Sequence, residues 1–223
     1  MEVIQHQRRD RTPRQRVPAP THPFTWRAGR DLPGRVARLG VGLLAFGVGI
    51  VLQIRAGLGL GPWDVLHVGL SQLTGLSLGA VMISVGVLLV AATTALGDRP
   101  GPGTLANMVL IGVFVDLIHP WVPAARGTAW AWTYLLSGIL LFGAATGLYI
   151  GAAFGKGPRD AVMIVLAERT GWTVRRVRTA LETTVLALGW ALGGTVGVGT
   201  IVFALTIGPA VHAGLHFFAP AGR

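Results

Sequence analysis

Two short stretches with ionisable residues interrupt the apolar sequence, and they match each other. "GLGPWDVLH" places Asp64 three residues before His67, and "FGKGPRDAV" places Arg159 directly before Asp160. In both stretches a Gly-Pro pair precedes the acid. Proline suits the first turn of a helix, where its missing N–H costs nothing, and an acid in that turn accepts free N–H groups and meets the helix dipole favourably. One interpretation is a glycine hinge followed by a capped short helix.

The same pattern also indicates a binding site. Discontinuous helices in corresponding positions of two halves mark the solute site of many secondary transporters. Non-helical backbone at membrane depth persists only where it is buried in protein or lines a cavity. The candidate binding residues are Gly59, Gly61, Pro62, Trp63, Asp64, His67, Gly155, Gly157, Pro158, Arg159 and Asp160. Interfacial segments outside the membrane core would have the same sequence, so both interpretations stay open.

Two further polar residues lie within apolar runs. Glu182 falls one-third to one-half of the way along such a run, and an ionisable group at that depth predicts a functional site. Arg178, one helical turn away, is its expected partner, and a purely structural Arg178–Glu182 pair is the alternative. Asn107 is a candidate polar contact inside the bundle. No Ser-His-Asp or paired-carboxylate arrangement is present, so we predict no enzyme and no catalytic residue. The chain has no cysteine, and His212 and His216 lack a third ligand nearby in sequence, so we predict no metal; no cofactor is predicted either.

The elements that must position these residues are long apolar runs. Only 13% of the 223 residues are charged, and a membrane-spanning helix needs about 20 mostly apolar residues. Six runs satisfy this requirement: 36–55, 76–96, 104–120, 131–150, 173–192 and 199–218. Segments 62–74 and 158–170 would reach only about 20 Å as helices, which favours re-entrant or interfacial positions. Small residues at Gly143, Gly147 and Gly151 predict close packing of the fourth run on a neighbour.

The chain is a duplication with an offset of 96 residues. In that register "LGPWDVLHVGLSQLTG" aligns without a gap with "KGPRDAVMIVLAERTG". Each copy holds three long runs, an odd number, so the second copy must cross the membrane upside down relative to the first. We therefore predict an all-α polytopic membrane protein with six transmembrane helices in two inverted three-helix repeats, each with one broken or re-entrant helix. The repeats cover residues 35–122 and 131–218.

The basic residues indicate the orientation. Residues 1–34 are polar and rich in Arg and Pro, which predicts a disordered basic tail. With the N-terminus in the cytoplasm, only Arg55 and Arg126 fall outside, as the positive-inside rule requires. Both termini are therefore predicted to be cytoplasmic in a bacterial inner membrane, with basic residues against anionic lipids. Topology accounts for the net charge of +10, so no nucleic-acid partner is predicted.

The stretch "GLGLGPWDVLHVGLSQLTGLSLG" resembles the YczE/YyaS/YitT group of bacterial integral membrane proteins, and most closely its YczE-like branch. In that branch Gly-Leu-Gly, a small residue and Pro-Trp-Asp-Val-Leu follow the first span. The resemblance covers about residues 35–215, with Gly61 where the branch has serine. It implies the membrane fold and supplies no settled activity.

Two functions remain as hypotheses. The leading one is a small secondary-transporter-like or channel-like protein for a small-molecule solute. The alternative is a non-transporting membrane scaffold or regulator that acts through its basic cytoplasmic tail and loop. A homo-oligomer is compatible with either function.

Overall fold

Residues 31–218, the part of the chain that this computed structural model describes, fold into α-helices with no β-strand among them. The helices are α1 (Leu32–Ala56), α2 (Pro62–Thr74), α3 (Leu78–Ala95), α4 (Pro102–Ile118), α5 (Thr128–Gly151), α6 (Pro158–Thr170), α7 (Val174–Ala191) and α8 (Val198–Phe218). A 3₁₀ turn, His119–Trp121, follows α4. Residues 32–34 of the predicted tail belong to α1, and residues 1–30 lie outside the described residues.

Five of the described helices are long and apolar enough to cross a membrane: α1, α3, α4 with its 3₁₀ turn, α5 and α8. Large apolar side chains on these helices face outward, including Leu88, Leu140 and Leu205, and contact the lipid bilayer. Helix α7 corresponds to the remaining predicted run. Its Arg residues near the N-terminus and Glu182 lower its hydropathy, so it is not among these five.

The two short helices α2 and α6 have the predicted bounds and the same local structure. Gly61 and Gly157 are extended, with ψ of 156° and 157°, and each is followed by proline at the first helical position. Both helices end at a glycine in the left-handed region, Gly75 and Gly171, each with φ of 71°. Glycine adopts this conformation without a steric penalty. Local sequence therefore determines where these helices begin and end.

Helices α1 and α5 pack against each other in opposite directions. A Cβ on Gly42 would lie 3.0 Å from the Tyr149 nitrogen, whereas a Cβ on Gly49 would lie 3.0 Å from the Gly138 oxygen. The contact therefore moves toward the N-terminus of α5 as it advances along α1. Glycines at these positions let the two backbones approach closely.

The two halves of the chain exchange equivalent contacts. The backbone N–H of Gly103 donates to the Phe154 carbonyl at 2.8 Å, and the N–H of Gly199 donates to the Leu58 carbonyl at 2.7 Å. Gly199 and Phe154 are the residues 96 positions after Gly103 and Leu58, respectively. Each half thus holds the connection between the first two helices of the other.

Two glycines of the predicted small-residue pattern, Gly143 and Gly147, pack against a neighbouring helix, α8. A Cβ on Gly143 would lie 2.4 Å from the Ala210 oxygen, and a Cβ on Gly147 would lie 2.0 Å from the Gly214 oxygen. Only glycine fits at such distances, so a larger residue would force the helices apart. Apolar clusters lie on both sides of α5, one around Leu43 and the other including Leu135.

Candidate functional site

The N-terminal ends of α2 and α6 meet at a cavity of about 230 Å³ in the described part of the chain. Gly61, Pro62, Trp63 and Asp64 line it from α2, and Gly157, Pro158, Arg159 and Asp160 line it from α6. The remaining walls come from α1, α3, α4, α5, α7 and α8. Helix N-termini carry partial positive charge and free N–H groups, so both short helices present polar ends to one space.

The structure brings together every predicted binding residue except Gly59 and Gly155. His67, Asn107 and Glu182 line the same cavity as the two Gly-Pro-x-Asp segments. Asn107 lies on α4 and Glu182 on α7, so their convergence could not be read from sequence spacing.

Gly59 and Gly155 shape the connections that lead into the short helices. Their φ angles are 109° and 125°, a region that residues with a side chain rarely adopt. A Cβ on Gly59 would lie 2.7 Å from Thr200 Oγ1, and a Cβ on Gly155 would lie 2.9 Å from Thr104 Oγ1. These glycines therefore position the site without lining it.

Asp64, His67 and Arg159 form a buried ionic cluster. Asp64 Oδ1 lies 3.5 Å from both Arg159 Nη2 and His67 Nδ1, and Arg159 Nη2 lies 3.5 Å from His67 Nδ1. Asp64 is 4% exposed and His67 is 2% exposed. The Arg159 guanidinium also lies 5.3 Å from the centre of the Trp63 ring. Arg159 thus lies close to both a carboxylate and an aromatic ring.

Two buried polar atoms of this cluster lack a hydrogen-bond partner within the described residues. They are Trp63 Nε1, a donor, and Asp64 Oδ1, an acceptor. The 3.5 Å approach of Arg159 to Asp64 is an ion pair without hydrogen-bond geometry, and the 3.5 Å approach of His67 is a polar contact. Buried polar groups are almost always hydrogen-bonded, so an unpaired one calls for an explanation such as water or a ligand.

A second polar group lies at the start of α6. The Tyr149 hydroxyl donates to Asp160 Oδ2 at 2.8 Å. Asp160 is exposed, in contrast to its buried equivalent Asp64. A Cβ on Gly157 would lie 3.7 Å from Asn107 Nδ2, which places the Asn107 amide beside this group.

Glu182 pairs with Arg178, as predicted. Arg178 Nε donates to Glu182 Oε1 at 2.8 Å, and their side chains are 47% and 30% exposed, respectively. Both residues line the cavity and are partly exposed.

An aromatic wall, Phe46, Phe142, Tyr149 and Phe203, borders the cavity and was not predicted. Ring centres are 4.0 Å apart for Phe46 and Phe142, 6.1 Å for Phe46 and Tyr149, and 5.7 Å for Phe142 and Phe203. Within apolar runs these residues look like ordinary core. One sequence feature could have indicated this wall: phenylalanine occupies both Phe46 and Phe142, which are equivalent positions of the two halves.

The wall also explains the glycine at position 61. A Cβ there would lie 2.7 Å from Phe203 Cε1. A serine at this position would require the Phe203 ring to move. Glycine at position 61 therefore lets the Phe203 ring pack against the start of α2.

The fold and the cavity define a polytopic helical membrane protein. A family model described as "Family of unknown function (DUF6198)" matches residues 34–215. The chain belongs to this family.

Three relatives extend the comparison. The chain is 41% identical to "Uncharacterized membrane protein YczE" of Bacillus subtilis, over 76% of this chain and 79% of the relative. It is 36% identical to an "Uncharacterized protein" of Haemophilus influenzae, over 79% and 81%, and 29% identical to "Uncharacterized protein YyaS" of Bacillus subtilis, over 78% and 88%. These matches confirm the family resemblance. No solved structure matches the chain significantly.

Proposed function

We propose that this membrane protein is a small secondary transporter or channel, and not an enzyme, that holds a small solute in the cavity between α2 and α6. One observation carries the proposal: the N-terminal ends of two short helices, from corresponding positions of two halves, meet at a single cavity. Paired broken helices around a central site are the arrangement that secondary transporters use. The Asp64–Arg159 pair, together with Asn107, Asp160 and Glu182, supplies polar contacts in a cavity whose other walls are mostly apolar.

The proposed topology is the six-span inverted repeat. With 13 residues each, α2 and α6 reach about 20 Å, short of the hydrocarbon core of about 30 Å, and are taken as re-entrant. If α1, α3 and α4 cross and α2 does not, α5 starts on the opposite side from α1. The antiparallel packing of α1 and α5 supports this count, because a crossing by α2 would make them parallel.

The proposed orientation follows from the positive-inside rule. The topology places the α3–α4 connection and α6 on the same side as the N-terminus of α1. Arg99, Lys156 and Arg169 lie on that side, opposite Arg55 and Arg126. We therefore assign that side to the cytoplasm of a bacterial inner membrane, where the basic residues meet anionic lipids.

The outer side of the cavity is the more tightly packed. A Cβ on Gly189 of α7 would lie 2.4 Å from the Leu66 nitrogen of α2, so these helices are in backbone contact. The equivalent of Gly189 is Thr93 on α3. There, α6 is held instead by the Lys156–Asp98 ion pair at 3.0 Å. An ion pair that water can reach is easier to separate than a backbone contact. The Lys156–Asp98 pair and the exposure of Asp160 therefore support a cavity that opens to the cytoplasm.

Solute movement is tested with the full-length protein in proteoliposomes. A panel of radiolabelled solutes is assayed for saturable uptake and counterflow, with Asp64→Asn and Glu182→Gln as cavity variants. Glu168→Gln is the matched control, because Glu168 is an exposed acid at the far end of α6 that does not line the cavity. Transport that both cavity variants reduce and the control retains supports the proposal. If no solute binds or moves and the cavity variants match the wild type, the proposal is wrong.

The depth of the short helices is tested separately by single cysteines, since the chain contains none. A membrane-impermeant maleimide should label Arg99→Cys from the cytoplasm only and Arg126→Cys from outside only. Asp160→Cys should react from the cytoplasm, and Asp64→Cys should stay protected. Labelling of positions 99 and 126 from the same side would contradict the topology.

The alternative regulator makes a different prediction. Deletion of residues 1–30 should abolish the activity of a regulator that docks through its tail, and should leave solute transport unchanged. The deletion thus separates the two functions without altering the cavity.

A further inference from the structure

We infer that the solute is a small organic cation, such as a primary amine or a quaternary ammonium compound, whose charge lies against Asp160 and whose carbon atoms lie against the aromatic wall. This inference rests on the proposed function, because it names the chemical class that the same cavity takes. It is carried by charge balance, by the aromatic wall and by a comparison of the two halves.

Among residues 31–218, the charges that line the cavity leave one carboxylate with no basic side chain at ion-pair distance. The lining acids are Asp64, Asp160 and Glu182, and the lining arginines are Arg159 and Arg178. Arg159 pairs with Asp64, and Arg178 pairs with Glu182. Within residues 31–218, Asp160 has the Tyr149 hydroxyl as a partner and no basic side chain at ion-pair distance. A monovalent cation would balance this site.

The aromatic wall leads directly to Asp160. Tyr149 belongs to the wall through its ring, which lies 6.1 Å from that of Phe46, and its hydroxyl donates to the carboxylate. Aromatic faces attract cations, and organic ammonium groups are recognised by such surfaces next to a carboxylate. A neutral solute would pack on the rings but lack the charge-assisted contact with Asp160, and an anionic solute would be repelled by this carboxylate.

The other half contains the same pattern with a cation already in place. At the start of α2, the Arg159 guanidinium lies 5.3 Å from the Trp63 ring centre and 3.5 Å from Asp64. An acid and an aromatic ring thus lie together at the start of each short helix. The acids are equivalent in the repeat, whereas Trp63 and Tyr149 are not. The chain supplies a guanidinium to Asp64, and a solute ammonium group would take the corresponding position beside Asp160.

The cavity volume limits the size of the cation. Sites for drug-sized ligands are about 300–1,000 Å³, so the space of about 230 Å³ suits an amine with only a few carbon atoms. Asp160 is exposed, so the cation can reach it without opening the Asp64 cluster.

The test measures binding to the purified full-length protein in nanodiscs by calorimetry. The probes are choline, ethanolamine, the neutral analogue of choline in which carbon replaces nitrogen, and pivalate as an anion of similar shape. We expect choline or ethanolamine to bind, and the neutral analogue and pivalate to bind at least about tenfold more weakly, since a charge-assisted contact is worth about 1.5–3 kcal/mol.

Substitutions in the protein test whether Asp160 contacts the charge of the bound cation. Asp160→Asn should weaken cation binding at least about tenfold, whereas Glu168→Gln, on the same helix but outside the cavity, should leave it unchanged. Phe142→Leu, which keeps an apolar residue in the wall, should also weaken cation binding and serves as the probe if Asp160→Asn does not fold.

The outcomes separate this inference from the proposed function. Equal binding of choline and its neutral analogue, or full cation binding by Asp160→Asn, overturns the cation assignment. Binding of pivalate or the neutral analogue alone would do so as well, while leaving the cavity a solute site. If none of the four probes binds, the inference is wrong. The proteoliposome panel then decides the proposed function independently.

Discussion

Arg159 Nη2 lies 3.5 Å from Asp64 Oδ1, although the two residues are on different short helices in different halves of the chain. Asp64 is buried, and the Arg159 side chain is 26% exposed. The pair therefore joins the N-terminal ends of α2 and α6 across the cavity. Removing one partner leaves the other charge in a poorly solvated place.

The first prediction concerns this pair. Asp64→Asn should lower the free energy of unfolding by about 3 kcal/mol, as expected when a buried pair loses one member. The double variant Asp64→Asn/Arg159→Gln should recover most of this loss, because no unpaired charge remains. Denaturant titration in mixed micelles measures both variants. As a control, Arg178→Gln breaks the more exposed Arg178–Glu182 pair and should change stability by less than about 1 kcal/mol. Equal effects of Asp64→Asn and Arg178→Gln would show that the Asp64 site is effectively solvated.

The second prediction concerns the close contact of α2 and α7. Gly189→Ala places a Cβ 2.4 Å from the Leu66 backbone nitrogen, and such overpacking destabilises by about 1–3 kcal/mol. Gly208→Ala is the matched control on α8, because a Cβ there meets nothing within 4 Å. Alanine at position 208 should be neutral or stabilise by up to about 1 kcal/mol through its better helix propensity. Thermal unfolding followed by circular dichroism compares the two. Similar melting temperatures would indicate that α7 can move away from α2 at little cost.

The third prediction concerns Asp116, which accepts hydrogen bonds from Ser77 Oγ at 2.5 Å and from the Gly79 backbone nitrogen at 2.7 Å. Asp116 lies near the end of α4, and its carboxylate accepts hydrogen bonds from two donors at the start of α3 that the helix itself leaves unpaired. Asp116→Ala should destabilise the protein by about 1 kcal/mol, the usual contribution of a helix cap. The equivalent residue is the exposed His212, and His212→Ala should have no such effect. Amide hydrogen exchange tests whether the destabilisation arises at the first turn of α3. An unchanged exchange rate there in Asp116→Ala would contradict a capping role.

The fourth prediction concerns the Lys156–Asp98 pair between the α5–α6 and α3–α4 connections. Its side chains are 32% and 19% exposed, so breaking it should change stability by less than about 1 kcal/mol. If the pair restrains the cytoplasmic opening, Asp98→Asn should accelerate maleimide labelling of a cysteine at position 163. That position is buried and lines the cavity. Exchanging the charges, Asp98→Lys with Lys156→Asp, should restore slow labelling. If neither substitution changes the labelling rate, the Lys156–Asp98 pair does not control access to the cavity.

The two acids and the two Gly-Pro pairs were found from sequence, and so were the bounds of α2 and α6. These features are local: an extended glycine, a proline at the first helical position and a left-handed glycine at the end define each short helix. The Arg178–Glu182 pair was predictable for the same reason, because residues four apart share a helix face. The packing of Gly143 and Gly147 on a neighbour was predicted as well, but not the choice of α8.

The sequence by itself determined the short helices and identified the candidate polar residues, because propensity, capping and periodicity act over a few residues. Only the tertiary structure decided that Arg159 pairs with Asp64 and that Asp160 accepts the hydrogen bond of Tyr149. It also assembled the aromatic wall from α1, α5 and α8. Such contacts depend on how the helices pack, and corresponding segments of the two halves, which share the Gly-Pro-x-Asp pattern, have different partners.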